Sequence, residues 1–183
     1  MNSTLNLVLK LVVICVVAGF CLGLTYSVTD PIIEQLQIDQ ANENYRALIP
    51  GADFRDAVYD GAGIYSRITS VQEAFKGDEI AGWCVNIKAT GYKGDINLIV
   101  GVLADGALAG IRVGAHEETA GLGSKIAEPA FYEQFANSQP PLTLNQHIDA
   151  VTGATISSNA VLNAANTVHA LYEDQLSRLL PAA

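Results

Sequence analysis

The sequence has few cysteines, few aromatic residues and little positive charge. Its three cysteines, two of which lie inside an apolar run, form neither a disulfide framework nor a zinc site. Ten lysines and arginines stand against 19 acidic residues, and the net charge of −9 argues against binding DNA or RNA through a phosphate-neutralising surface. Only 7% of the residues are aromatic, but 50% are hydrophobic, so the chain can bury a core and is not globally disordered. A length of 183 residues fits one domain with an accessory segment.

The first 30 residues carry the pattern of a membrane anchor. The stretch from Leu11 to Thr29 has no charged residue and would span about 28 Å as a helix, close to the hydrocarbon thickness of a bilayer. Lys10 precedes the stretch, and Asp30 and Glu34 follow it, so the positive-inside bias predicts a cytoplasmic N-terminus. A cleaved signal peptide is the alternative, but the run is long for one and no small-x-small cleavage site follows. We therefore expect a single-pass protein of the cytoplasmic (inner) membrane, anchored in the lipid bilayer, whose C-terminal domain faces the periplasmic side.

The remainder of the chain predicts an α+β fold in which an antiparallel sheet packs with helices. Asp30-Pro31 is a helix N-cap followed by a proline, so we expect a juxtamembrane helix over 31–50 and one domain over 51–183. Asp105-Gly106 is a two-residue hairpin signal between two apolar runs, and adjacent runs favour an antiparallel meander. Apolar residues at helical spacing over 156–179 predict a long amphipathic helix that packs on the sheet. The predicted strands are 63–70, 80–90, 96–104 and 107–114, and a short helix is predicted over 127–136.

One segment with the chemistry of an anion site runs from Asp149 to Ser158, where extended chain turns into the C-terminal helix. Gly153 permits a tight turn and a close approach to the backbone, and Thr155 places a hydroxyl at the helix start. The unpaired N–H groups of a first helical turn carry the positive end of the helix dipole, which favours a phosphate. The alternative is an ordinary N-cap, in which Ser and Thr hydroxyls satisfy backbone donors.

A second segment, from His116 to Lys125, follows the last predicted strand. Its Gly121-Leu122-Gly123 run is neither a dinucleotide fingerprint nor a P-loop, because the glycine spacing of both is absent. A leucine between two glycines could form a platform for a flat ring. The alternative is a strand-to-helix loop built from turn residues.

Together, behind one N-terminal span, the two segments resemble the FMN-binding G subunit of the Rnf complex. They also resemble the related C subunit of the sodium-translocating NADH:quinone oxidoreductase, which is usually a longer chain, so the G subunit is the better match. The family pattern Asp-x-x-Ser/Thr-Gly-Ala-Thr is matched by Asp149, Thr152, Gly153, Ala154 and Thr155.

The second signature of this family, His-x-Glu-Thr-Pro-Gly-Leu-Gly, is matched apart from its proline. Ala120 replaces that proline, which removes rigidity but no ligand group. A Gly-Tyr-x-Gly run before a strand is matched around Tyr92. The residues that fit the second signature are His116, Glu118, Thr119, Gly121, Leu122 and Gly123.

The resemblance implies a covalently bound FMN, with a phosphoester between the FMN phosphate and the hydroxyl of Thr155. The chain would then be both a flavoprotein and a phosphoprotein. A separate flavin transferase would read the motif, with Asp149 as a recognition residue, so no catalytic residue of the chain's own is expected. Glu118, Thr119 and Leu122 would lie against the flavin ring. The residues expected to bind FMN are Tyr92, Glu118, Thr119, Gly121, Leu122, Gly123, Thr152, Gly153, Ala154, Thr155 and Ser157.

The function implied is electron relay within an ion-translocating ferredoxin:NAD⁺ oxidoreductase complex, in which the other Rnf-type subunits are the partners. No metal site and no nucleic-acid partner are expected. Three alternatives remain: membership of the quinone oxidoreductase family, a membrane-tethered anion-binding or sensory module without redox function, and a structural assembly subunit that does not need the flavin.

Two further residues have plain structural interpretations. His116 is expected to be a strand-end histidine satisfied by local hydrogen bonds rather than a proton shuttle, and Cys84 is expected to be a small buried hydrophobe rather than a reactive thiol.

Overall fold

The protein is described by a computed structural model that covers residues 2–180, with side chains for residues 8–27, 29 and 41–180. The chain divides into two compact units, one over residues 1–43 and one over residues 44–183.

The first element is a long helix, α1 (Asn2–Leu48). Within it, Val8–Ser27 has a mean hydropathy of 2.5 and its side chains are exposed, so this part is long and apolar enough to cross a membrane. We expected a new helix to begin at Asp30-Pro31, but α1 continues through these residues. A proline inside a helix removes one hydrogen bond, and here the helix persists on both sides of it.

The second unit is built on a five-stranded antiparallel sheet with the strands in sequence order, which confirms the predicted meander. The strands are β1 (Asp53–Asp56), β2 (Ile68–Lys76), β3 (Glu79–Thr90), β4 (Asp95–Leu103) and β5 (Leu108–His116).

The first predicted strand is wrong at its start, and β1 was not expected. Gly63–Tyr65 forms a 3₁₀ turn, in which Gly63 has a φ of +64°, and the strand begins only at Ile68. β1 has four largely exposed residues without an apolar–polar alternation, so it carries no strand pattern.

β4 and β5 form a hairpin at the predicted place, but residues 104–107 lie outside both strands, so its loop has four residues rather than two. Gly106 adopts a φ of +86°, and the Leu103 N–H donates to the Ala107 carbonyl at 2.8 Å. The Asp105 carboxylate accepts the Ala107 N–H at 3.0 Å, which is the side-chain turn contact that Asp favours.

Between β5 and the last helix, the predicted short helix is a series of brief turns. α2 (Pro129–Tyr132) is flanked by 3₁₀ turns at Gly123–Ala127 and Glu133–Phe135. Proline at the start of α2 favours a first helical turn, and the buried rings of Phe131 and Phe135 pack edge to face.

The C-terminal helix, α3 (Thr155–Asp174), packs on β3 and β4 and closes the core. Its apolar residues at helical spacing are buried, and full burial of one such aliphatic side chain stabilises the fold by about 1.5–3 kcal/mol. The helix ends earlier than predicted, because Leu176–Leu179 continues as a 3₁₀ turn. The buried side chains of this face include Val161, Leu162, Ala165, Val168 and Leu171.

Cys84 lies in β3 and is fully buried, so we expect its thiol to be inert in the folded protein. Desolvation by burial raises the pKa of the Cys84 thiol to about 12, which leaves about one thiol in 10⁴ ionised at pH 8. Treatment of the native full-length protein with iodoacetamide, followed by peptide mass spectrometry, should find Cys84 unmodified. The same peptide should be alkylated completely after denaturation, and prompt labelling in the native state would contradict the assignment.

Candidate functional site

A cavity of about 460 Å³ opens where three segments of the second unit meet, a volume within the range of small-ligand sites. The segments are the loop between β3 and β4, the loop after β5 and the start of α3. The lining residues are Tyr92, Glu118, Thr119, Leu122, Gly123, Gly153, Ala154, Thr155, Ile156 and Ser157.

The start of α3 presents free backbone donors to this cavity. Gly153 turns the chain with a φ of +78°, and the Ala154 N–H closes the turn on the Val151 carbonyl at 2.9 Å. Ser158 does not cap the helix: its hydroxyl accepts the Val151 N–H and donates to the Ala154 carbonyl. Within the described chain no side chain caps α3, so the N–H groups at its N-terminus can bind an anion. The N-cap alternative therefore does not hold at this helix.

Glu118, on the loop after β5, forms hydrogen bonds with both of the other segments. One carboxylate oxygen, Oε1, accepts the backbone N–H groups of Tyr92 at 2.8 Å and Lys93 at 3.2 Å. The other, Oε2, accepts the Ser157 hydroxyl at 2.7 Å. With only 8% of its surface exposed, Glu118 joins the β3–β4 loop to the first turn of α3.

The carboxylate of Glu118 occupies space that is open only because two neighbouring residues are glycines. A Cβ at Gly91 would overlap Oε1 of Glu118, and a Cβ at Gly123 would lie 2.5 Å from Oε2. Neither position can therefore carry a side chain while Glu118 keeps its hydrogen bonds.

The Glu118 carboxylate stays ionised at neutral pH. Burial by itself raises its pKa, but the hydrogen bonds from Ser157, Lys93 and Tyr92 and the nearby His116 outweigh that effect, and the net pKa lies below the ordinary value. The His116 Nδ1 accepts the Glu118 N–H at 3.3 Å, which is the local hydrogen bond expected of this strand-end histidine.

Apolar side chains stand exposed around the cavity. Tyr92 is 67% exposed, Leu122 47% and Ile156 56%. Leu122 approaches the turn before α3, because a Cβ at Gly153 would lie 3.2 Å from Leu122 Cδ2. Sequence reasoning missed Ile156, whose only signal was its place beside Thr155 in the first turn of a helix.

Two of the residues expected to bind FMN do not line the cavity. Thr152 is exposed in the turn before α3, and Gly121, with a φ of +75°, donates its N–H to the Ser124 hydroxyl. Asp149, which is expected to contact the transferase, lies in a separate groove of about 430 Å³, which Glu128 also lines. There the Gln134 Oε1 accepts a hydrogen bond from the Asp149 N–H at 2.7 Å, and the Gln134 Nε2 donates one to the Asp149 carbonyl at 3.4 Å.

Residues 91–170 match the model of the FMN-binding domain family. The chain is 34% identical over 169 residues to the G subunit of the ion-translocating oxidoreductase complex of Methanosarcina acetivorans, covering 87% of this chain and 89% of that one. It is 30% identical over 167 residues to the G subunit of the proton-translocating ferredoxin:NAD(+) oxidoreductase complex of Clostridium ljungdahlii, covering 87% and 86% of the two chains. The G subunit of the Na(+)-translocating ferredoxin:NAD(+) oxidoreductase complex of Acetobacterium woodii is 31% identical, with 91% and 90% covered.

Two solved structures share the fold. The crystal structure of Shewanella oneidensis NqrC superposes with a TM-score of 0.52 at 22% identity and covers 60% of each chain. The C subunit of the Na(+)-translocating NADH-quinone reductase from Parabacteroides distasonis gives a TM-score of 0.52 at 17% identity, with 79% of this chain and 85% of that one covered. These likenesses confirm the α+β fold with an antiparallel sheet.

The charge on Glu118 should make the stability of the domain depend on pH. Because the folded-state pKa is lowered, the charged carboxylate stabilises the fold above the unfolded pKa, and this contribution is lost as the pH falls through the folded pKa. Glu118→Gln should therefore lower the free energy of unfolding by about 1.5–3 kcal/mol at pH 7 and by less below about pH 4.

Thermal unfolding of the apoprotein across this pH range measures the difference. Glu117→Gln is the matched control, because Glu117 is exposed and should change stability little. A gap between wild type and Glu118→Gln that is the same at every pH would contradict the charge assignment.

Proposed function

The chain belongs to the family of G subunits of Rnf-type ion-translocating oxidoreductase complexes, and from this premise we propose that it carries electrons on an FMN esterified through its phosphate to Thr155. The observation that carries the proposal is the uncapped start of α3, which opens into a ligand-sized cavity with Thr155 exposed at its first position.

The residues around the cavity fit FMN. A phosphate requires hydrogen-bond donors and positive potential, and the first turn of α3 supplies both through its N–H groups and helix dipole. A flat aromatic ring requires apolar contacts, and Tyr92, Leu122 and Ile156 supply exposed apolar surface around the same cavity. FMN supplies the redox chemistry, because its ring system accepts and releases electrons one at a time.

The chain's own residues would hold and orient the flavin. The Thr155 oxygen would form the ester bond to phosphorus as a bond from phosphorus to a leaving-group oxygen breaks in the transferase, and the leaving group would depart with the hydroxyl proton. The product would therefore equal the chain plus FMN less one water. The first-turn N–H groups would stabilise the charge on the phosphate oxygens. Gly123 and Gly153 keep the backbone close to the cavity, because a Cβ at either position would crowd Glu118 or Leu122. An ester through the phosphate would leave the ring free for electron transfer and would keep the flavin attached to the chain.

The membrane-spanning part of α1 would anchor the protein beside the other subunits of the parent complex. The chain is a single-pass membrane protein, and we propose that the second unit faces the periplasmic side. Residues 11–27 contain no Asp, Glu, Lys, Arg or His, so this stretch lacks the ionisable side chains that mark ion paths within membranes. The relatives' names describe proton- and sodium-translocating ferredoxin:NAD(+) oxidoreductases, and we propose electron transfer between these two redox partners for the parent complex here.

The ester at Thr155 is tested by intact mass after co-expression with a flavin transferase. The wild type should gain the mass of FMN less one water, and Thr155→Val should gain nothing. Thr167→Val, which removes a hydroxyl further along α3, should keep the increment. No increment in the wild type, with a transferase shown to be active on a control substrate, would leave a tethered anion-binding module as the leading interpretation.

Asp149 is proposed as a contact of the transferase rather than of the flavin, because it lies in the separate groove beside Gln134. Asp149→Ala should slow flavinylation at least about tenfold, equivalent to about 1.4 kcal/mol of lost interaction, without changing the unfolding temperature. Glu128→Ala removes another exposed carboxylate of the same groove and should leave the rate near that of the wild type. Equal rates for Asp149→Ala and wild type, in a time course followed by mass spectrometry, would refute this role.

A further inference from the structure

We propose that the buried negative charge of Glu118 lowers the reduction potential of the flavin bound in this cavity. The inference rests on the proposed function, and it assigns to Glu118 an electrostatic role in addition to contact with the ring.

The position of the carboxylate is fixed from three sides. Its two oxygens take hydrogen bonds from the β3–β4 loop and from the first turn of α3, and Gly91 and Gly123 close around it. Glu118 also lines the cavity, so its charge stands at a constant place beside any ligand there.

Among the described residues, no lysine or arginine forms an ion pair with this carboxylate. The basic side chain beside it is His116, which lowers the Glu118 pKa and whose Nδ1 accepts the Glu118 N–H. In the part of the chain that the structure describes, Arg67 and Asp95 form the only ion pair, and the donors to Glu118 are two backbone N–H groups and one hydroxyl. Such donors stabilise an anion through their dipoles but leave its net charge in place. The cavity wall therefore carries a buried negative charge that no lysine or arginine pairs with.

A fixed charge at this place acts on electron transfer directly. An electron accepted by FMN from a reduced redox partner of the complex would add one negative charge beside Glu118. Coulomb repulsion between that charge and Glu118 is weakly screened at a buried site, so the reduced form is disfavoured. Glu118 would thereby make the bound flavin a stronger reductant. The charge of the phosphate ester is the same in every variant and does not enter the comparison.

The test is a spectroelectrochemical titration of the full-length flavinylated protein at pH 8, with the mass of each sample measured first. Glu118→Gln keeps the shape of the side chain and removes its charge, so its potential should shift to more positive values, well outside the scatter of replicate titrations. Glu117→Gln removes the same charge from the adjacent exposed residue and should titrate with the wild type, because solvent screens that position. Equal potentials for Glu118→Gln and wild type would overturn the proposal.

A second pair of variants covers the case in which Glu118→Gln does not fold. Glu118→Asp and Glu118→Asn share one shape and differ only in charge, so the Asn variant should have the more positive potential, and equality would overturn the proposal. The mass measurement separates the two hypotheses: a wild type that lacks the covalent increment but binds added FMN refutes the ester at Thr155, and its titration still tests Glu118. A wild type that neither carries nor binds FMN refutes both.

Discussion

The hydrogen bonds of one buried carboxylate organise the candidate site. A charged group out of water is destabilising unless donors surround it, and Glu118 finds its donors on two other segments, at Tyr92, Lys93 and Ser157. If the β3–β4 loop or the first turn of α3 moved away from the loop after β5, the Glu118 carboxylate would lose hydrogen-bond donors. Such a movement is therefore unfavourable. The cavity exists because these three segments are held together at this distance.

The topology of the sheet brings those segments to one end. β3 ends at Thr90 and β4 begins at Asp95, so the loop between them lies at the end of the sheet where β4 starts. β5 runs antiparallel to β4 and finishes at His116, which pairs with Ile96 at the same end of the sheet. α3 then starts beside both. An antiparallel meander thus places residues that are far apart in sequence around a single cavity without a crossover connection.

Features that depend on local sequence could be predicted, whereas features that depend on long-range contacts could not. The Asp105-Gly106 turn and the helix start at Thr155 follow from residues within a few positions of each other. β1 could not be predicted, because its four residues acquire their strand conformation only by pairing with β2. The hydrogen bonds of the Glu118 carboxylate could not be predicted either, because its partners Tyr92 and Ser157 lie 26 and 39 residues away in the sequence. No local pattern marks Glu118 as more than a ring contact.

The burial of Trp83 has a spectroscopic consequence. It is the single tryptophan of the chain, it is fully buried, and its ring lies 5.7 Å from that of Tyr172 on α3. Its indole N–H meets no acceptor among the described residues. An indole in such dry surroundings emits at short wavelength. Fluorescence excited at a wavelength that the seven tyrosines do not absorb therefore reports only on the contact between β3 and the C-terminal helix, and a red shift marks the entry of water there.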